Sequence, residues 1–478
     1  MTVNFPQILK GAGLSLILFG SGLSVVHAAA TITIINGDLA GEGFNDPTVV
    51  APVGGNNATT LGQQRLNVFQ AAADIWGAQL DSAVPIRIFA SMDALTCTAS
   101  SALLGSAGPI TVFRDFSGAA YSGTWYHPAL ANRLAGFDLD PTVDDIIARF
   151  NVDLGKPDCF DGISFYLGLD NNHGNNIDLV TVLLHEFSHG LGFLTVTDGS
   201  TGQTLGNYGF PALWDHYIFD NTQALSWSAM TDSERQASAI NTGELTWLGV
   251  AVQESLADVL APVPQLTING PVSVAGVYTV GEAEFGPKVV SPGVTGQLMP
   301  VVDTFGRLGF ACSKFSPINA LSVKGNIALI DRGGLCGFQT KVKNAQNAGA
   351  IGVIIADNLS TSTPPTMTGS DASITIPSVS ITKLAGVTLK NALRFRSRTK
   401  SGVIANLSLS DARFAGTDTY GKALLYAPNP FITGSSVSHW DPGMTPNQLM
   451  EPSFNVDLTH SVASPQDLTL RLLKDLGW

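Results

Sequence analysis

The run His185-Glu186-Phe187-Ser188-His189-Gly190-Leu191-Gly192-Phe193 constrains the fold of this chain more than any other stretch. Histidines at i and i+4 share one face of a helix, one turn apart, so a helix here offers both imidazoles to a single ion. Leu179, Leu183 and Phe187 follow i, i+4, i+8 and form a neighbouring row that must face a core. A helix over Asp178–Gly190 with these two rows has to lie between a packed layer and an open cleft. Glu186 stands beside the first histidine but is not placed to bind the ion, which is the position of a general base acting on water. Gly190 and Gly192 end the helix and allow a sharp turn.

Two histidines do not complete such a centre. A catalytic zinc ion takes three protein ligands and keeps a fourth position for water. In the compact pattern H-E-x-x-H-x-x-G-x-x-H the third histidine would fall where this chain has Thr195. The remaining candidates are His127, His173, His216, His439 and His460, with Asp215 as a carboxylate rival. His216 sits among Trp214, Tyr217 and Phe219, the surroundings of a packing histidine, and His173 belongs to the turn before the helix. Asp170 and Asp178 in that oxygen-rich turn suit either a structural Ca²⁺ or an ordinary helix start. His439 stands out in Ser435-Ser436-Val437-Ser438-His439-Trp440-Asp441. Eleven residues later comes Met450, in Leu449-Met450-Glu451-Pro452, a side chain suited to an apolar floor rather than a ligand.

The rest of the chain narrows the setting. With 478 residues, 45% of them hydrophobic and only 13% charged, it is long enough for two or three domains and a sizeable core. A net charge of −13 argues against nucleic acid and anionic membrane surfaces as partners. Lys10, the apolar run Gly11 to Val26 and the small residues Ala28, Ala29 and Ala30 read as a secretory leader over residues 1–30, hence a secreted or periplasmic protein. No later stretch reads as a membrane span, and the end at Trp478 shows no hydrophobic tail, so no stable membrane anchor is expected. Export permits disulfides. Of the three pairings open to Cys97, Cys159, Cys312 and Cys336, the favoured one joins Cys97 to Cys159 and Cys312 to Cys336, each inside one domain.

Periodicity predicts a helix over Leu61–Gln79 and strands over Val84–Ala90, Ile110–Phe113, Ile146–Phe150 and Ile163–Leu167. This is an α+β layout in which the motif helix lies beneath a sheet. From about Ile268 to Leu409 the texture changes to Val, Ile, Thr and Gly. Within it a strand Asn326–Asp331, a helix Phe338–Gly349 and a strand Ile351–Ala356 make a βαβ-like unit, and an amphipathic helix over Leu468–Leu476 closes the chain. The expected division is 31–267, an insert over 268–410, and 411–478.

H-E-F-S-H-G-L-G-F, then S-H-W-D, L-M-E-P and a terminal D-L-G-W together resemble the leishmanolysin family of metzincin zinc proteases. That resemblance implies His185, His189 and His439 as zinc ligands, Glu186 as base and Met450 as the turn methionine. It also implies a secreted endopeptidase acting on protein or peptide substrates with one catalytic Zn²⁺. It covers the helix region and the chain from Gly434 onward, and is weaker over Thr31 to Phe160. His189 and His439 are 250 positions apart, more than the family's own insertion, which implies a whole inserted domain. Lys324-Gly325-Asn326-Ile327-Ala328-Leu329-Ile330-Asp331-Arg332-Gly333, with Cys336, Phe338, Lys341, the run Asn347 to Val353 and Ile376-Pro377-Ser378-Val379-Ser380-Ile381, resembles a protease-associated (PA) domain. PA domains lack catalytic residues and are associated with substrate access or protein contact. The rival reading is an inactive secreted binding module that works through this insert; the intact Glu186 weighs against it, because a scaffold has no need of a base there.

Overall fold

The computed structural model describes residues 29–303 and 309–478. The expected leader at residues 1–30 therefore lies, except for Ala29 and Ala30, outside the described residues. The first lobe is built on a four-stranded sheet. Its strands are β1 (Ile32–Asn36), β2 (Ile86–Asp93), β3 (Gly105–Pro109) and β4 (Ile146–Asn151), in the order β1-β2-β4-β3. β1, β2 and β4 run parallel, and β3 pairs antiparallel with β4 as an edge strand. Two helices, α1 (Leu61–Gln79) and α2 (Leu179–Leu191), pack on this sheet and on each other. The ring of Phe69 on α1 lies edge-on to Phe150 of β4 at 5.0 Å and to Phe187 of α2 at 6.3 Å. The indole of Trp76 donates to the Leu184 carbonyl. Leu179, Leu183 and Phe187 are fully buried, as their i, i+4, i+8 row requires.

Two strand expectations need correction. Ile110–Phe113 has the stronger β composition, yet the edge strand is Gly105–Pro109, and Phe113 makes only an isolated bridge with Tyr126. Pairing decided this rather than propensity: a Cβ at Gly105 would come within 2.6 Å of the Phe150 ring, so this stretch of β4 accepts a partner with no side chain there. Ile163–Leu167 shrinks to Phe165–Tyr166, which pairs with Ile177–Asp178 just ahead of α2.

α2 starts where Asp178 caps it, accepting from the Thr181 amide at 2.8 Å and from Oγ1 of Thr181 at 2.7 Å. Near its other end Gly190 meets β4. A Cβ there would come within 2.5 Å of the Ile146 side chain. Gly192 then takes a φ of 131°, which turns the chain sharply out of the helix. A small three-stranded sheet follows, with Ile218–Asp220 between Leu225–Ser226 and Leu245–Trp247, and then α3 (Val250–Val259).

The insert is an eight-stranded sheet of β5 (Pro262–Gly270), β6 (Gly276–Thr279), β7 (Gly281–Glu282), β8 (Val294–Pro300), β9 (Ile327–Asp331), β10 (Gly352–Ala356), β11 (Ser378–Ile381) and β12 (Ile404–Phe414). Their order is β6-β5-β12-β8-β9-β10-β11-β7. β8 to β11 are parallel, with α4 (Phe338–Asn347) crossing from β9 to β10 and α5 (Lys383–Ala392) following β11. Both faces are covered: Ile327 and Leu329 belong to one apolar cluster, Ala328 and Ile330 to another. The insert enters and leaves through the antiparallel pair β5 and β12, and the expected boundaries at 268 and 410 fall inside these strands. At the neck the Ala415 amide donates to the Ala261 carbonyl at 2.9 Å. The chain thus returns to the point it left, and residues from Ala30 to Leu260 and from Ala423 to Leu476 share one core. Cys97 is bonded to Cys159 and Cys312 to Cys336. The last helix, α6 (Thr469–Leu476), returns to α3, where Asp475 accepts from the Ala251 amide at 2.6 Å. Among the described residues no helix is long and apolar enough to cross a membrane.

The Gly190–Ile146 approach gives a direct test. Gly190→Ala should destabilise the fold by about 1–3 kcal/mol through overpacking, and adding Ile146→Val should recover part of the loss in thermal melts.

Candidate metal centre

The i, i+4 spacing on α2 brings the His185 and His189 rings to 5.0 Å between centroids. The third imidazole arrives from the far side of the insert. Tyr426 donates its amide to the His439 carbonyl and accepts from the Val437 amide, so the segment carrying His439 is laid along residues 425–426. The Thr195 amide donates to Oγ of Ser438 at 3.3 Å. The place where a compact motif would put its own histidine is thus a docking point for the residue before His439. His439 lies 4.8 Å from His189 and 5.1 Å from His185 between ring centroids. One ligand atom from each of the three rings falls within 4.8 Å of the others. No second group of three or more His, Cys, Asp or Glu gathers this way among the described residues.

Each ring is held by its other nitrogen. Nδ1 of His185 is 2.7 Å from the Leu449 carbonyl, Nδ1 of His189 is 2.8 Å from the Phe193 carbonyl, and Nδ1 of His439 is 2.7 Å from the Ser435 carbonyl. A carbonyl only accepts, so each Nδ1 carries the proton and each neutral ring offers a lone pair at Nε2. Burial keeps the rings neutral, lowering His185 to about 4, His189 to about 3 and His439 well below the usual value. Nε2 of His185 and Nε2 of His439 are 3.2 Å apart. With both Nδ1 atoms protonated, this contact sets two lone pairs face to face, and a cation between them turns repulsion into coordination. Tetrahedral nitrogens about 2.0–2.1 Å from zinc lie roughly 3.3 Å from one another. The donor set therefore fits Zn²⁺.

Glu186 faces the same cleft. Its Oε2 accepts from the Ala107 amide of β3 at 2.9 Å, which fixes the carboxyl against the edge strand. Burial pushes this carboxyl up to about 7, against the pull of that amide. Met450 is fully buried, and its carbonyl accepts from the Trp440 amide at 2.8 Å. The Leu449–Met450 turn is therefore tied at once to His185 and to the residue after His439. Beside Glu186 and His185 opens a cleft of about 330 Å³ between β3, α2 and the chain after Met450.

The other candidates lie elsewhere. His216 stacks on Tyr121 at 4.3 Å and pairs with Oγ1 of Thr124. His173 donates to the Asn176 carbonyl inside its own turn. His460 binds Asp178 at 2.8 Å, tying the start of α2 to the C-terminal segment. His127 is buried ahead of the helix Pro128–Ala135. Asp215 has both oxygens engaged, by Thr195, by Thr197 and by the Ala212 amide. Asp170 accepts from Tyr166 and from the Asn172 amide, a turn arrangement, while Asp178 is the helix cap. Sequence reasoning missed the Ala107 amide and the carbonyls of Phe193, Ser435 and Leu449. Main-chain groups occur at every residue and leave no compositional mark.

Residues 294–389 match the family model described as PA domain. The insert carries a PA domain. The chain is 42% identical over 112 residues, 23% of its length, to the receptor homology region, transmembrane domain- and RING domain-containing protein 1 of Oryza sativa subsp. japonica. It is 36% identical over 124 residues, 24% of its length, to the probable lipoprotein aminopeptidase LpqL of Mycobacterium tuberculosis. It spans only 19% and 23% of these two relatives. Among solved structures it is similar to a zinc aminopeptidase from Bacillus subtilis, at 26% identity, with TM-score 0.23 over 32% of this chain and 31% of that one. An aminopeptidase from Aneurinibacillus sp. strain AM-1 gives 28% identity and a TM-score of 0.24, over 31% of each chain.

The depressed imidazoles set a pH expectation. Protons compete with a metal only below a ring's own pKa, and these lie near 4 and 3 rather than 6.5. Zinc-loaded protein dialysed at falling pH should keep its metal through 6.5 and release it only on approaching 4, as measured by metal analysis. The neck geometry sets another. Replacing residues 262–414 by a short glycine linker should leave a folded protein that still binds one zinc.

Proposed function

We propose that this protein is a secreted zinc endopeptidase of the leishmanolysin-like metzincin kind, with a PA domain inserted between its second and third metal ligands. The observation that carries this reading is the convergence of three neutral imidazoles, each with Nδ1 committed to a carbonyl, next to the Glu186 carboxyl. His185, His189 and His439 would hold the ion. When bound, zinc acidifies a water and polarises the scissile carbonyl. Glu186, held by the Ala107 amide at Oε2, takes the proton from the attacking water and delivers it to the leaving amine nitrogen. Leu449 fixes the orientation of His185, and the Met450 carbonyl holds the residue after His439.

An internal cut, rather than removal of one terminal residue, is favoured by β3. Among the described residues no strand pairs with its outer side, and the cleft opens at its Gly105 end. An extended peptide can pair with such an edge and continue past both ends of the site. The aminopeptidases named among the similar proteins make removal of N-terminal residues the alternative. Peptides blocked by N-terminal acetylation separate the two: an endopeptidase cuts them and an aminopeptidase does not. The two disulfides accord with an oxidising compartment.

Glu186→Gln should keep stoichiometric zinc and lower kcat by about 10²–10⁴-fold, measured on a blocked peptide. Chelation should abolish cleavage and added Zn²⁺ restore it. His439→Ala should lose the zinc itself; full zinc content in that variant would remove His439 from the ligand set.

A further inference from the structure

The cleft next to Glu186 contains a group that bond cleavage does not require. Its lining is mixed: Thr181, His185, Glu186 and Ser453 stand beside an apolar part made by Leu104 next to β3, Val182 of α2, and Leu449, Phe454 and Leu458 from the chain around and after Met450. Among them stands Glu451, only 3% exposed. Its carboxyl is fixed at both oxygens: Oε1 accepts from the Gln448 amide and Oε2 from Nδ2 of Asn455, each at 2.8 Å. These donors are neutral, and the other charges acting on it are the carboxylates of Asp457 and Asp441.

We propose that this cleft takes a lysine or arginine side chain from a residue flanking the scissile bond, with Glu451 as its counter-charge. The proposal rests on the peptidase reading above and names its substrate class. The apolar part of the lining suits the methylene stem of a basic side chain, whose head alone needs a charged partner. A buried carboxylate with one neutral hydrogen bond per oxygen keeps lone pairs for a cationic head. An apolar side chain in the same place would strip water from Glu451 and offer nothing in return. An acidic one would meet Glu451 and Glu186 together. Burial pushes the Glu451 carboxyl up to about 7, with Asp457 and Asp441 adding to the rise, as expected of a carboxylate without a cation beside it. A bound ammonium or guanidinium removes that cost.

The test uses full-length zinc-loaded protein and two readouts. In the first, blocked peptides carrying Arg, Lys, Leu, Gln or Glu on either side of the cut are ranked by kcat/KM. Arg and Lys should lead at one flank, and Glu451→Gln should reduce the Arg-to-Leu ratio there by about 10–100-fold. A wild-type preference for Leu at both flanks, or an Arg preference that survives Glu451→Gln, would overturn the proposal. In the second, n-butylguanidinium and n-butanol are titrated with NMR signals of Leu449, Phe454 and Leu458 as reporters. Butylguanidinium should give saturable shifts in wild type that butanol does not match, and Glu451→Gln should lose them. Equal responses to the two probes in wild type sink the idea even if the variant fails to fold. If no peptide is cut while butylguanidinium still binds through Glu451, the peptidase reading falls and the cation site stands.

Discussion

Three hydrogen bonds from imidazole Nδ1 to main-chain carbonyls govern the whole centre. Each makes one nitrogen a donor and leaves Nε2 as a bare lone pair, and the fold then crowds those lone pairs together. Neutral rings with Nε2 atoms 3.2 Å apart have no hydrogen bond to share, so the arrangement is favourable only around a cation. The carbonyls come from three places: the turn after α2, the turn before His439 and the loop at Met450. Rigidity at the site is therefore a property of three loops held against one helix.

The PA domain interrupts this assembly without disturbing it because of where it leaves the chain. β5 and β12 run antiparallel, and Ala261 and Ala415 meet through a main-chain hydrogen bond. A long insertion whose ends are already adjacent adds little to the loop-closure entropy of the host. The His439 segment can therefore dock on Tyr426 and on the Thr195 turn as if the insert were a short loop. The insert keeps its own apolar clusters on both faces of its sheet, separate from the core that its flanks share.

The cleft joins these elements into a working surface. β3 supplies the amide that holds Glu186, α2 supplies that carboxyl and two rings, and the chain after Met450 supplies a wall with a buried carboxylate. Three neighbouring residues of a single turn thus serve the centre and the cleft: the Leu449 carbonyl holds the His185 ring, Met450 is buried and Glu451 lines the cleft.

Much of this was legible in the residues alone wherever the cause was local. The row Leu179, Leu183, Phe187 and the paired histidines specify a helix with two faces, because a 3.6-residue period is decided within a few turns. The βαβ run from Asn326 to Ala356 formed nearly as its pattern implied. What depends on distant partners was not legible. Glycine-rich Gly105–Pro109 became the edge strand ahead of Ile110–Phe113 because β4 accepts it, a matter of pairing rather than propensity. Six side chains competed for a place beside His185 and His189, and only the tertiary structure brought His439 there while giving His216, His460 and Asp215 other partners. The sequence by itself determined which groups could do chemistry; the tertiary structure decided which of them meet, because their meeting is set by contacts between segments 254 and 264 residues apart.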